Sequence, residues 1–205
     1  MYLQRFLVAT FLLAAPVVTV HLVKRTSWGP VLAAPRTRQT GNPKAKVVIV
    51  EYSDFQCPSC ATLDPLIHKL LETYQGKVRL IYKYYPLTKI HKNAMPSAHA
   101  ADCAAQQDRF WPYHDRLFQT QLSWATLPDP TTSFLAIAQE VKLDVPKFRS
   151  CFADPSRLAV IEQDAEEAEA RQVTATPTFF IGDERLVGAV MATDGARAIE
   201  KALRR

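Results

Sequence analysis

Apolar residues along this chain first run together and then settle into strand and helix periods. From Phe6 to Val23 almost every position is apolar, with Arg5 before the run and Lys24-Arg25 after it. Such a segment predicts a signal peptide or signal anchor over residues 1–25 rather than part of a folded core. Thr26 to Lys46 is rich in Pro, Gly, Thr and charge, and residues 26–45 read as an extended tether. Val47-Val48-Ile49-Val50-Glu51-Tyr52 is apolar and β-branched apart from one carboxylate, which predicts a buried strand over about 46–53. Leu63, Leu66, Ile67, Leu70, Leu71 and Tyr74 then recur at helical spacing and predict a helix over about 58–75. A strand (77–85), a long helical region (92–171), two strands (177–182 and 184–190) and a last helix (193–204) complete the order. Within the helical region the apolar stripes are Ala98, Ala101, Ala104 and Ala105, then Phe134, Leu135, Ile137 and Ala138, then Leu158, Ile161 and Ala165. Phe110, Trp111, Tyr113 and Phe118 read as core. Strand, helix and strand in succession imply a βαβ unit with a right-handed crossover, and the final hairpin and helix complete a four-stranded sheet.

The turn between the first strand and its helix carries Cys57-Pro58-Ser59-Cys60. Two thiols at this spacing close a small, readily exchanged disulfide. A helix N-terminus stabilises the thiolate that does the exchanging, through unpaired N–H groups and the helix dipole. The competing reading is half of a zinc site or a structural bridge. Zinc needs two more ligands, and the remaining cysteines, Cys103 and Cys151, are far apart and each alone.

A second signal lies far along the chain, in Val173-Thr174-Ala175-Thr176-Pro177-Thr178-Phe179-Phe180-Ile181-Gly182, an apolar strand with a proline at its start. With Gly41-Asn42-Pro43, Glu51 six residues before Cys57, Asp54-Phe55-Gln56-Cys57-Pro58-Ser59-Cys60, Phe110-Trp111 and His114-Asp115, the chain resembles the thioredoxin superfamily and, within it, the DsbA-like thiol:disulfide oxidoreductases. The resemblance implies an α/β thioredoxin fold, first part 46–91 and second part 172–205, interrupted by an all-helical insert, 92–171, and preceded by the hydrophobic segment. In it Cys57 attacks and is attacked, and Cys60, one turn into the helix, resolves the mixed disulfide. Pro58 fixes the first helical turn. Ser59 departs from the best-known members, which carry His there, so their strongly oxidising potential does not transfer. Glu51 matches a buried carboxylate that moves the proton of the second cysteine; read from the strand alone it is instead a strand-end carboxylate facing solvent. Thr176-Pro177 is expected to lie against the disulfide and to offer substrate peptides a backbone to pair with. Thr before this proline also occurs in isomerase-type relatives, which leaves the direction of exchange open.

Cys103 and Cys151 fall in the helical insert, and in an oxidising compartment a structural disulfide between them would contribute roughly 4 kcal/mol; the alternative is two buried free thiols. His99 shares a helical face with Cys103, but without a third ligand this is no metal site, and His91 and His114 read as surface or satisfied histidines.

Composition narrows the rest. With 48% hydrophobic residues and a formal charge of +5 scattered from Arg5 to Arg205, the chain can bury a core and lacks a nucleic-acid footprint. Four cysteines, an even number, suit an oxidising compartment. The activity that the resemblance implies is that of an exported or membrane-anchored oxidoreductase that introduces disulfides into secreted or envelope proteins. It would be periplasmic or otherwise extracytoplasmic and held at the inner membrane by residues 6–23. Its partners would be unfolded or reduced secreted proteins and a membrane redox partner that reoxidises it. It is expected to be a monomer with no metal and no cofactor beyond the Cys57–Cys60 disulfide. A reductase or isomerase of the same fold is the alternative. A non-catalytic redox-sensing or metal-delivery module is the rival of another class, though only three methionines are present and no Met-rich tract.

Overall fold

The structure is a computed structural model that describes residues 34–205. The expected N-terminal signal or anchor segment lies outside the described residues. Among the described residues no helix is long and apolar enough to cross a membrane.

Strand β2 (Val47–Ser53) and strand β3 (Val78–Tyr84) pair in parallel from Val47 with Val78 to Ser53 with Tyr84, and helix α1 (Pro58–Thr73) connects them. Strand β4 (Thr178–Ile181) runs antiparallel to β2 and pairs with β5 (Glu184–Val187) across a turn at Gly182, whose φ of 58° suits glycine. Ile49, Glu51 and Ser53 alternate with Val48, Val50 and Tyr52 along β2, so the strand is covered on both sides. Ile49 packs with Leu63, Ile67 and Leu70 of α1 and with Ala198 and Ile199 of the last helix, α8 (Val190–Leu203).

Six helices lie between β3 and β4: α2 (Ala94–Ala105), α3 (Phe110–Gln119), α4 (Gln121–Trp124), α5 (Thr131–Glu140), α6 (Val145–Phe152) and α7 (Leu158–Ala170). Their apolar faces meet in one core built on Phe110, Tyr113, Leu117, Trp124, Phe134 and Phe148. Trp111 stays half-buried at its margin. Asp108, Lys142 and Gln172 take positive φ just past the ends of α2, α5 and α7. In each case the next residue's N–H donates to a carbonyl five residues back (Arg109 to Ala104, Leu143 to Ala138, Val173 to Ala168), which closes the helix without a glycine.

Two expectations need correction. Part of the presumed tether belongs to the fold: Arg36–Arg38 form a short 3₁₀ turn and Gln39–Gly41 form strand β1, antiparallel to β3, so the sheet has five strands in the order β1-β3-β2-β4-β5. Three residues are too few to display a period of two, and Arg38 is charged, so composition hid them. Arg38 is nonetheless 1% exposed, paired with Asp164 and stacked over the Tyr84 ring. Gly41 is required where β1 meets β3, because its φ is 90° and a side chain there would lie 2.6 Å from the Val78 carbonyl oxygen. The second correction is at the end of the sheet: β5 stops at Val187 and α8 starts at Val190, because Gly188 turns the chain at φ 53° and donates its N–H to the Pro177 carbonyl.

On the sheet face opposite α1, α7 is fastened by buried charges. Lys83 Nζ lies 3.0 Å from Asp164 and 2.9 Å from Glu167, Tyr52 Oη donates to Glu167 at 2.6 Å, and Arg171 Nε approaches Glu167 at 3.1 Å. Buried charges this well paired fix one register between helix and sheet, since removing one partner would leave the other uncompensated.

Candidate active site

Cys57 is the N-cap of α1, with Pro58 and Ser59 exposed on the first turn and Cys60 inside. The turn before it is held at several points. Asp54 Oδ1 accepts from Gln56 N at 2.7 Å, its Oδ2 accepts from Leu87 N at 3.0 Å and faces His91 Nδ1 at 2.7 Å, and Cys57 N donates to the Asp54 carbonyl. Two glutamines tie the turn to the helical insert. Gln121 Nε2 donates to the carbonyls of Phe55 and Cys57 at 2.7 and 3.0 Å, and Gln56 donates to Ala125 while accepting from Asn93 N.

Both thiols are free, 7% exposed at Cys57 and 2% at Cys60. The loop before β4 comes to them: Cys57 Sγ lies 3.4 Å from the Thr176 carbonyl oxygen, to which it donates only while protonated, and the Thr176–Pro177 peptide bond is cis. The Cys57 thiol is pulled down to about 5 because the Cys60 thiol donates to its sulfur, with the N–H groups of Cys60 and Ser59 adding to the effect against the cost of burial. Thr176 Oγ1 has no hydrogen bond of normal geometry but acts in the same direction. Cys60 moves the other way, well above a free thiol, because burial and the adjacent Cys57 sulfur both disfavour its charge. The pair thus splits into one sulfur that is a thiolate at neutral pH and one that keeps its proton.

Glu51 is 6% exposed, so the reading of it as a solvent-facing carboxylate does not hold. Burial raises its carboxyl to about 7, and the charge of His114 is the largest opposing influence. Ser53 makes no hydrogen bond of normal geometry, yet it acts on Glu51, Cys60 and Tyr82, and Tyr82 in turn responds to the charges of both Glu51 and Cys60. Glu51, Ser53, Tyr82 and Cys60 therefore form one buried polar group in an otherwise apolar layer. A carboxyl titrating near neutrality there can give or take one proton at physiological pH.

Sequence reasoning named Cys57, Cys60, Glu51, Pro58, Ser59, Thr176 and Pro177, and the fold brings these together at the end of α1. It missed Gln121, Ser53 and Tyr82. Asp54 and Gln56 alone carried a local signal, the side-chain turn of an Asp two residues before its donor. His91 and His114 are both hydrogen-bonded, to Asp54 and Asp115. Cys103 and Cys151 lie elsewhere, joined by a disulfide between α2 and α6. His99 stands beside them on the ring of Phe152, but both sulfurs are engaged with each other.

A family model described as thioredoxin matches residues 33–201. Among solved structures, oxidised BdbD from Bacillus subtilis superposes with a TM-score of 0.74 over 82% of this chain and 93% of that one; at 21% identity it speaks for the fold alone. Wolbachia pipientis alpha-DsbA1 superposes with a TM-score of 0.73 at 25% identity, over 85% of this chain and 94% of that one. A curated relative, Na(+)/H(+) antiporter NhaA 3 of Salinispora tropica, is 38% identical over 152 residues, which are 73% of this chain and 22% of that protein. The chain spans about a quarter or less of the length of the curated relatives it matches first.

Proposed function

The chain belongs to the thioredoxin family, and on that premise we propose that it is a thiol:disulfide oxidoreductase of the DsbA type that introduces disulfides into secreted or envelope proteins by exchange at Cys57 and Cys60. The observation that carries this reading is the split between the two sulfurs: Cys57 at about 5 and Cys60 well above a free thiol. In the oxidised protein a substrate thiolate attacks Cys57 Sγ. A substrate–Cys57 bond forms, the Cys57–Cys60 bond breaks, and Cys60 leaves with the electron pair. Glu51, about half protonated near neutral pH, supplies the proton that Cys60 needs. A second substrate thiol then attacks the substrate sulfur of the mixed disulfide and expels Cys57 as a thiolate. The substrate has lost two electrons and the enzyme has gained them. A low-pKa leaving thiol favours this direction over reduction.

The Thr176–Pro177 loop, beside Cys57, would hold the substrate's backbone. The activity needs no cofactor beyond the thiol pair, only a membrane redox partner that takes the two electrons back. In this reading residues 6–23 hold a monomeric domain on the extracytoplasmic side of the inner membrane. The antiporter activity in the relative's name belongs to a protein of which this chain matches 22%, and it is not carried over.

The test is trapping. Cys60→Ser should accumulate mixed disulfides with oxidised substrates, because the Cys57 thiolate opens the substrate disulfide and the thiol that would resolve the product is gone, and Cys57→Ser should accumulate none. Trapping by the opposite variant would reverse the assignment, and trapping by neither would remove the function.

A further inference from the structure

Where α1 packs against α3, a second group of side chains converges beside the thiol site, touching neither sulfur but acting on the charge of Glu51. α1 contributes Asp64 and His68, one turn apart, and α3 contributes His114 and Asp115. His68 Nε2 lies 3.5 Å from Asp64 Oδ1 and 3.4 Å from Asp115 Oδ1, and His114 Nδ1 lies 2.8 Å from the same Asp115 oxygen. One potential ligand atom from each of the four residues lies within 4.8 Å of every other. Ligands bound at about 2.1 Å to a tetrahedral ion sit about 3.4 Å from one another, so the two His68 spacings match a coordination shell, while the 2.8 Å His114–Asp115 contact is a hydrogen bond that an ion would replace.

The surroundings suit an ion. The side chain of His114 is 3% exposed and closes the inner side, whereas that of His68 is 42% exposed and leaves a path from solvent. The two helices that carry the ligands are packed elements of the fold, so the geometry is set before any ion arrives. Both imidazoles converge on one oxygen of Asp115, His114 by a hydrogen bond and His68 at 3.4 Å. Two imidazole nitrogens with two carboxylate oxygens are the donor set of zinc and similar transition metals. Calcium and magnesium ask for more ligands, nearly all of them oxygen.

We propose that Asp64, His68, His114 and Asp115 form a binding site for a divalent transition metal of the zinc class, which clamps the active-site helix α1 to α3. It binds no atom of the thiol pair, although Asp64, His68 and His114 all act on the charge of Glu51, and the experiment keeps the two apart by removing both thiols. The full chain carrying Cys57→Ser and Cys60→Ser, free of any affinity tag, is titrated with zinc, because reduced thiols would otherwise compete for the metal. The expected result is saturable uptake of one equivalent, a raised melting temperature, and tetrahedral-type visible absorption when cobalt(II) replaces zinc. In the same background His68→Gln, on the solvent side, should weaken uptake about tenfold or more and abolish the thermal shift, and Asp115→Asn should do likewise. Magnesium and calcium should give neither effect. No saturable uptake at sub-millimolar zinc, or uptake unchanged in both variants, would overturn the site.

Discussion

Cys57 and Cys60 stand as free thiols at the first turn of α1, whereas Cys103 and Cys151, 48 residues apart, are joined by a disulfide in which each sulfur sits in the last turn of its helix, α2 or α6. The helix end is the instructive difference. At an N-terminus the N–H groups and the dipole draw a thiolate out; at a C-terminus the carbonyls oppose it. Cys57 has donors and a neighbouring thiol to hold its charge, and the cis Thr176–Pro177 loop stands over it. Cys103 is fully buried in the core that holds Phe110, Phe134, Phe148 and several alanines. On the proposed function one pair exchanges and the other stays closed, and neither property could be read from the cysteine itself.

The largest effect that tests this contrast is on turnover. Cys57→Ala should lower disulfide transfer about a thousandfold or more, to the background rate, while Cys103→Ala with Cys151→Ala should leave it nearly intact at low temperature. A comparable loss in both variants, or peptides linking Cys103 or Cys151 to Cys57 during turnover, would make the second pair part of a relay.

Stability should reverse the ranking. Opening the 48-residue loop should cost roughly 4 kcal/mol in the chain-entropy model, read as a lower denaturant midpoint of the Cys103→Ala/Cys151→Ala variant. Reduction of the Cys57–Cys60 pair alone should not lower the midpoint, because a folded state that holds Cys57 as a thiolate favours the reduced pair and a loop this short constrains the unfolded chain little. Equal effects would mean that the two bridges do not differ in structural role.

Much of this arrangement was legible in the sequence, and the reasons are physical. Val47–Tyr52 and Leu63–Tyr74 declare themselves because a strand buried on both faces and an amphipathic helix each leave a period, and Cys57-Pro58-Ser59-Cys60 lies in the short turn between them. The breaks between insert helices did not, since the caps at Asp108, Lys142 and Gln172 are not glycines and the closing hydrogen bonds involve only backbone. Nothing along the chain marks Arg38 and Lys83 as buried; the fold does so by bringing Asp164 to both. Glu51 had two readings from its strand alone, and the choice depended on Tyr82 of β3 and His114 of α3 arriving beside it.

Glu51 gives a smaller effect that sharpens the contrast, because the exchange site should be the less stable of the two regions at high pH. Its carboxyl moves from 4.5 to about 7 on folding, so between those values the folded protein binds more protons than the unfolded chain. Stability from this group is present at acidic pH and falls as pH rises through about 7. Glu51→Gln should therefore stabilise the protein by up to about 3 kcal/mol at alkaline pH and by almost nothing at strongly acidic pH. The same variant should slow Cys60 release, most visibly near neutral pH. A gain that does not vary with pH would point to packing and not to a buried ionisable group.

The account rests most heavily on the charge of one sulfur, and titration of the reduced protein by the ultraviolet absorbance of thiolate measures it directly, with Cys60→Ser and Cys57→Ser to assign the signal. A single inflection near pH 5 belonging to Cys57, with Cys60 still protonated at neutral pH, is the predicted result. An inflection for Cys57 in the ordinary range of about 8.5 would contradict the claim that this helix terminus makes an exchanging thiol.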